Sequence, residues 1–146
     1  MKQPSYMEAR GILAKPKRSK YGVDMSPAAQ AARTVMHHGK PVKCASKAEA
    51  KRFGELILLE RGKRIFNLTF HPKYGLYAWS DDPSVAVKVV VHYIGDAGYD
   101  EFDKGGEFHH VVEDIKGVET EAFKIKAKWF RACYPHIDFR VLKARA

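Results

Sequence analysis

The chain has 146 residues, of which 45% are hydrophobic and 12% aromatic, so it is long enough to bury one core. No apolar run approaches the length of a membrane span, and the charged N-terminal residues lack the apolar segment of a secretory signal. Cys44 and Cys133 lie far apart and form no Cys-x-x-Cys motif. We expect two reduced thiols in a cytosolic protein, with a single disulfide as the alternative.

The net charge of +9 is unevenly distributed. Residues 1–46 hold nine Lys or Arg and two acids, and residues 118–146 hold seven Lys or Arg and three acids. By contrast, nine of the 17 acids fall between Asp96 and Glu121. Basic flanks around an acidic centre suit a polyanion held over a cation site. The alternative is that the basic ends only keep the chain in solution.

The N-terminal region is predicted to be a flexible basic arm over residues 1–24, followed by a single domain over residues 25–146. We expect the arm to become ordered on a phosphate backbone, if it orders at all. The arm residues assigned to nucleic-acid contact are Lys17, Arg18 and Lys20.

Ser26, as a cap followed by proline, predicts the start of a short helix over residues 27–36. Residues 41–44 are expected to form a short strand. His37 and His38 could act with Cys44 as zinc ligands, but no fourth ligand follows at a usable spacing.

The next helix is predicted over residues 46–61, with Ser46 as its cap and Gly62 as its stop. Glu49 falls within the apolar stripe of this helix. A buried carboxylate is costly unless it is paired or bound to a metal. Glu49 could instead close a capping box with Ser46 or pair with a basic residue. Glu60 lies near the same face, so Glu49 is not unique there.

Strands are predicted over residues 64–70 and 74–79, with a break between them and a turn after the second. Residues 85–96 form the longest β-rich run and end in Asp96. Because this run is continuously apolar, we expect it to be a central strand. A polar hairpin loop is expected over residues 100–106.

The strand predicted over residues 108–117 ends in a doublet of acids and a lysine. Side chains alternate along a strand, so Asp114 and Lys116 should point to one face and Ile115 to the other. Such an acid can hold a hard divalent cation, and such a lysine can stabilise charge or orient water. For an isolated Asp-x-Lys, a solvated ion pair at a strand end is the more common explanation.

A helix over residues 119–134 and a strand over residues 137–142 complete the chain. The helix has an apolar stripe and a separate basic stripe, with one further lysine beside the buried face. A basic stripe is usually only a solvated face, but this one follows the acidic strand directly. The helix residues assigned to nucleic-acid contact are Lys124, Lys126, Lys128 and Arg131.

The succession of helix acid, strand-end Asp, Asp-x-Lys strand and lysine-bearing helix resembles the PD-(D/E)XK nuclease superfamily. More closely, it resembles a family of small phage-encoded proteins of unknown function, whose pattern is related to phage Holliday-junction resolvases. The matching stretches are Lys20-Tyr21-Gly22, Ser46 to Ala50, Tyr93 to Asp96 with Tyr99, and Val112 to Gly117 followed by Thr120 and Lys126. The resemblance covers roughly residues 20–142. It implies an α/β (mixed α+β) fold with a central mixed β-sheet flanked by helices, a restriction-endonuclease-like core.

The resemblance also implies roles for individual residues. Asp96, Asp114 and the backbone carbonyl of Ile115 would bind Mg²⁺ or Mn²⁺, and Glu49 would complete the acid set. Lys116 would position or activate water for in-line hydrolysis of a DNA phosphodiester. Resolvases are usually symmetric dimers, so the resemblance implies a homodimer. It further implies a phage-encoded protein in the bacterial host cytosol, without an organic cofactor or a membrane.

The sequence departs from the superfamily pattern at the strand-end acid. Gly95 stands where the superfamily has proline, and Ala97 stands where the family usually has an aromatic residue. The doublet Glu113-Asp114 leaves the ligand ambiguous. Spacing to the lysine selects Asp114, whereas a β-bulge would reverse that choice.

Two functions are consistent with these observations. The first is a metal-dependent DNA endonuclease, with specificity for branched DNA resting on analogy alone. The second is a non-catalytic nucleic-acid-binding protein in phage replication or recombination that uses the same basic residues. The two differ in their need for metal, because a pure binder should keep its affinity in EDTA.

Overall fold

The computed structural model describes residues 24–144, and this part of the chain contains three helices and eight strands. The predicted contacts of Lys17, Arg18 and Lys20 lie outside the described residues. The elements are α1 (Pro27–Ala31), β1 (Thr34–His37), β2 (Lys40–Lys43), α2 (Lys47–Arg61), β3 (Phe66–Phe70), β4 (Lys73–Ala78), β5 (Lys88–Ile94), β6 (Ala97–Phe102), β7 (Phe108–Lys116), α3 (Glu121–Cys133) and β8 (Asp138–Lys143).

The central sheet is mixed, with strand order β3-β6-β7-β8. Strand β6 runs antiparallel to both β3 and β7, whereas β7 and β8 are parallel. This arrangement confirms the predicted mixed α+β class with a mixed sheet. A parallel pair needs a crossover connection, and α3 provides it between β7 and β8.

Strands β4 and β5 form a separate antiparallel hairpin that extends β3 and β6 beyond a bend. The amide of His71 donates to the carbonyl of Asp96 at 2.9 Å, and the amide of Gly95 donates to the carbonyl of Pro72 at 3.0 Å. These two bonds keep the chain paired through the bend. Asp96 therefore sits where two sheets meet, next to the end of β7.

Helices α2 and α3 cover opposite faces of the central sheet. Val111 packs in one core with Phe53 of α2, while Val112 packs in another with Phe130 of α3. Neighbouring strand residues point to opposite faces, so the two helices must lie on opposite sides. Each fully buried phenylalanine contributes on the order of 2–3 kcal/mol relative to exposure.

The boundaries of α2 agree with the sequence prediction. Ser46 is its N-cap and accepts a hydrogen bond from the amide of Glu49 at 3.1 Å. Gly62 is its C-cap, and its amide donates to the carbonyl of Leu58 at 2.9 Å. Both ends are defined by local capping bonds, which a sequence pattern can predict.

The prediction of a central strand over residues 85–96 was wrong. Strand β5 belongs to the two-stranded hairpin. Val87, just before the strand, is 62% exposed, and Val90, within it, is 54% exposed. An apolar run shows β-propensity but not which neighbours cover the strand.

Two other element boundaries differ from the prediction. The first helix ends at Ala31, because Thr34–His37 pairs with Lys40–Lys43 as a β-hairpin. The expected polar loop after Asp100 begins three residues later, since β6 continues to Phe102. No described helix is long and apolar enough to cross a membrane.

Candidate active site

Asp114 and Lys116 lie together at the end of β7. The Nζ of Lys116 is 2.6 Å from Oδ1 of Asp114, and the hydroxyl of Tyr93 donates a hydrogen bond to Oδ2. The side chain of Asp114 is 1% exposed. Within the described residues, Oδ1 has no hydrogen-bond donor and is held only by the ion pair with the Lys116 ammonium. Such a buried carboxylate oxygen could bind a cation if the ammonium moved away.

Tyr93 fixes the orientation of the Asp114 carboxylate. Burial, and then the hydrogen bond to Asp114, raise the pKa of Tyr93 well above its ordinary value. The phenol therefore remains a hydrogen-bond donor at neutral pH and holds one carboxylate oxygen in place. The other oxygen is left facing Lys116.

Asp96 is held beside Asp114 by the backbone of β7. Its Oδ2 accepts the amide N–H of Ile115 at 2.5 Å, and its own amide donates to the carbonyl of Glu113 at 2.9 Å. Burial, together with the charges of Asp114 and Glu49, raises the pKa of Asp96 to about 6, although the hydrogen bond from Ile115 opposes this shift. The carboxylates of α2, β7 and the β5–β6 bend thus act on one another electrostatically.

Glu49 is buried in the first turn of α2 and is fully engaged. Its Oε1 lies 3.0 Å from Nε2 of His71, and its Oε2 accepts the amide of Ala45 at 2.9 Å. Of the alternatives open at the sequence level, pairing with a basic residue therefore applies. Glu60 does not join this group, since its carboxylate contacts His37.

Glu113 points to the opposite face of β7 and has a structural role. Arg52 donates two hydrogen bonds to its carboxylate, at 2.9 and 2.6 Å, and the hydroxyl of Tyr99 donates a third at 2.7 Å. The pairing of β7 with β6 runs without a bulge from Phe108 to Glu113. The strand geometry thus places Asp114, and not Glu113, beside the lysine.

His71 is a site residue that the sequence did not indicate. It adopts a left-handed backbone conformation, with φ of 52°, which is uncommon for residues other than glycine. Its ring contacts Glu49, and its amide donates to the carbonyl of Asp96 at 2.9 Å. The sequence signalled only a break at this position, because the partners lie 22 and 25 positions away along the chain.

Gly95, the departure from the superfamily proline, has a structural explanation. A Cβ at this position would lie 2.8 Å from a methyl carbon of Val112. A proline would also lack the N–H that donates to Pro72. The bend that presents Asp96 therefore depends on close backbone approach at Gly95.

The expected ligands do not form a closed cage. Two described clusters have three side chains with ligand atoms within 4.8 Å of one another, and neither includes Glu49, Asp96 or Asp114. The carbonyl of Ile115, the other expected ligand, belongs to the residue whose amide holds Asp96. A cation at Oδ1 of Asp114 would compete with the ammonium of Lys116 for that oxygen.

A groove of about 470 Å³ opens on the Asp114 side of the site. Its lining includes Asp114, Lys116, Phe123, Lys126 and His92. A second groove of about 410 Å³ lies on the Ile115 side, and its lining includes Lys51, Arg52 and Lys143. The end of β7 is thus flanked by two basic grooves.

The predicted basic residues of α3 differ in their relation to the site. Lys126 lines the groove with Asp114. Lys124 instead pairs with Glu121 at 2.8 Å, and the guanidinium of Arg131 stacks over a phenylalanine ring at 4.8 Å. Lys128 is exposed on the helix surface.

The fold and the site define a mixed α+β protein with a carboxylate–lysine site at the end of a central strand. Residues 30–145 match a family described as a protein of unknown function, DUF1064, and the chain belongs to this family. None of the curated proteins or solved structures compared with the chain matches it.

Proposed function

We propose that this protein is a divalent-metal-dependent DNA endonuclease of the PD-(D/E)XK type. The observation that carries the proposal is the end of β7, where the buried Asp114 lies 2.6 Å from Lys116 and the next amide binds Asp96. An ordinary surface ion pair would not require a buried acid, a second acid in the adjacent β5–β6 bend and a third, Glu49, on the covering helix.

The chemistry of these groups suits Mg²⁺ or Mn²⁺. The groups that would hold the cation are carboxylate oxygens of Asp96 and Asp114 with the carbonyl of Ile115, and hard divalent cations prefer such ligands. The raised pKa of Asp96 supports this, because it reflects burial and repulsion that a bound cation would offset. When bound, the cation would supply Lewis-acid charge at the phosphate and lower the pKa of an attacking water.

The side chains around these ligands would orient the reacting groups. The ammonium of Lys116 can move from the Asp114 oxygen to a phosphate oxygen, where it would stabilise developing negative charge. Tyr93 and His71 would act as positioning residues, since they hold Asp114 and Glu49 respectively. Lys126 would contact a neighbouring phosphate from across the groove.

DNA is the proposed substrate because the chain has a net charge of +9 and basic grooves beside the site. Cleavage of branched DNA by a homodimer, in phage recombination, is the finer form of the proposal. It rests on the resemblance to phage Holliday-junction resolvases.

The proposal is tested by incubating the protein with a four-way junction, linear duplex and single-stranded DNA, in Mg²⁺, in Mn²⁺ and in EDTA. We expect metal-dependent cleavage that Asp114→Asn and Lys116→Met each reduce by at least ~100-fold, as expected for loss of a metal ligand or of a charge-stabilising group. The matched controls are Asp81→Asn and Lys104→Met, which alter exposed residues of the same types away from the site. Circular dichroism checks that each variant folds.

If the folded wild type cleaves none of these substrates with any metal, the endonuclease proposal fails. Preference for the junction over the duplex would support the finer form, and equal cleavage of both would contradict it.

The second candidate function is non-catalytic nucleic-acid binding. It is favoured by the fact that two of the acids already have partners within the protein, Lys116 for Asp114 and His71 for Glu49. A pure binder would retain its DNA affinity in EDTA and in Asp96→Asn.

A further inference from the structure

A second cluster of ligating side chains lies at the opposite end of α2 from Glu49. The Nε2 of His37 is 2.7 Å from Oε2 of Glu60, and the Nε2 of His38 is 3.5 Å from the same oxygen. Glu49 and Glu60 are 11 residues apart on one helix, which corresponds to about 16 Å along its axis. The cluster is therefore separate from the proposed active site.

We propose that His37, His38 and Glu60 form a binding site for one transition-metal ion of the Zn²⁺ class. One ligand atom from each of the three residues lies within 4.8 Å of the others, so small rotations suffice to place them around a single ion. The sequence indicated only the two histidines. The third ligand comes from a different element and replaces the cysteine considered there.

Two of the three side chains are already held in orientation. The Oε1 of Glu60 accepts the amide of Leu68 at 3.1 Å, which leaves Oε2 facing the histidines. The ring of His37 packs edge-on against Phe70, with ring centroids 5.1 Å apart. Contacts of this kind hold metal-ligating side chains in orientation and so lower the free-energy cost of ordering them when the ion binds.

The third side chain is brought to the cluster by a strained turn. His38 and Gly39 connect β1 and β2, and both have positive φ, of 46° and 75°. Asparagine or aspartate usually precedes glycine in this kind of two-residue turn. Here a histidine occupies the position, and its imidazole is directed towards Glu60 while remaining 74% exposed.

The chemistry of the cluster determines which ions it would take. Two imidazoles with one carboxylate suit Zn²⁺, Co²⁺ or Ni²⁺, whereas Mg²⁺ prefers oxygen ligands alone. A bound ion would join the β1–β2 hairpin to the last turn of α2. Because a two-stranded hairpin is marginally stable alone, this link would stabilise that edge of the protein.

The second such cluster provides an internal comparison. Glu101, His109 and Asp138 also lie within 4.8 Å of one another. However, Arg140 already binds both acids, at 2.5 and 2.6 Å. A cation there would have to displace or face a guanidinium, so we do not assign a metal to this cluster.

The test is titration of the full chain with Zn²⁺ by calorimetry, and with Co²⁺ by visible absorption, both in excess Mg²⁺ so that the proposed active site is already occupied. We expect one ion per chain and a Tm rise of about 5 °C or more at saturating Zn²⁺. His38→Asn should weaken binding by at least ~10-fold and abolish the Tm shift. Asparagine tolerates the positive φ, so this variant should fold.

Two control variants locate the ion, namely His109→Gln in the comparison cluster and His136→Gln, which alters an exposed histidine outside both sites. Both should bind Zn²⁺ as the wild type does. Absence of stoichiometric binding would overturn the inference and leave only an ion pair at Glu60. Unchanged affinity in His38→Asn, or loss of binding in either control, would place the ion elsewhere and also overturn it.

Discussion

Replacing Asp96 by asparagine removes one negative charge from the acid cluster and keeps an oxygen that can accept the amide of Ile115. Burial, aided by the charges of Asp114 and Glu49, raises the pKa of Asp96 from 3.8 to about 6. The ionised form is thus less stable in the folded protein than in the unfolded chain. We predict that metal-free Asp96→Asn is more stable than the wild type at neutral pH.

The magnitude follows from linkage between protonation and folding. One pKa unit corresponds to about 1.4 kcal/mol, so the raised pKa of Asp96 sets an upper bound of about 3 kcal/mol. Asp96 is only partly buried, and solvent screening reduces the expected gain to about 1–2 kcal/mol. Between pH 3.8 and about 6 the folded state binds more protons, so wild-type stability falls as pH rises through this window. The advantage of the variant should therefore be small at pH near 4 and complete above pH near 7.

The assay is urea unfolding of both proteins in EDTA, at a pH near 4 and a pH near 7.5. Asp81→Asn, which alters an exposed acid, serves as the control and should change stability by less than about 0.5 kcal/mol at both pH values. Equal or lower stability of Asp96→Asn near pH 7.5 would refute the view that the acids repel one another in the metal-free protein. If the variant gained the same stability at both pH values, the gain would not come from removal of the Asp96 charge.

Three further predictions concern the structure around the site. Gly95→Ala should destabilise the protein by about 1–3 kcal/mol in urea unfolding, because its Cβ would lie 2.8 Å from a methyl group on β7, and unchanged stability would contradict the close approach. Arg52→Met should cost about 3 kcal/mol, since among residues 24–144 it leaves the buried Glu113 with only Tyr99 as a side-chain partner. In a double-mutant cycle with Glu113→Gln, additive effects on stability would contradict an energetic coupling between Arg52 and Glu113. His71→Ala should weaken Mn²⁺ binding by about 10-fold in calorimetry, since it releases Glu49, and unchanged affinity would exclude a positioning role.

Local signals predicted the elements that position the site. The cap of α2, its glycine stop and the acid on its apolar face each follow from residues within this one helix and its two flanking positions. The strand containing Asp114 was equally predictable, and alternation alone placed Lys116 on the same face. These features need no knowledge of distant partners.

The partners of the acids were decided by the tertiary structure. Glu113 pairs with Arg52 across 61 positions, and Glu49 with His71 across 22. Nothing in the spacing of these residues distinguishes them from other acids and bases along the chain. Only the packing of α2 against the central sheet and the bend at His71 brings them within hydrogen-bonding distance.

The position of β5 shows that an apolar sequence pattern has the same limit as the charged residues in predicting tertiary neighbours. Its valines predicted a strand correctly, but the sequence could not indicate that the strand leaves the central sheet at Gly95. That bend results from close packing of Gly95 against Val112 and from backbone bonds to Pro72. The sequence by itself determined α2, α3, the strand that carries Asp114 and the faces they present. The tertiary structure alone decided which strands are neighbours and which charges meet, because those outcomes depend on contacts between residues far apart in the chain.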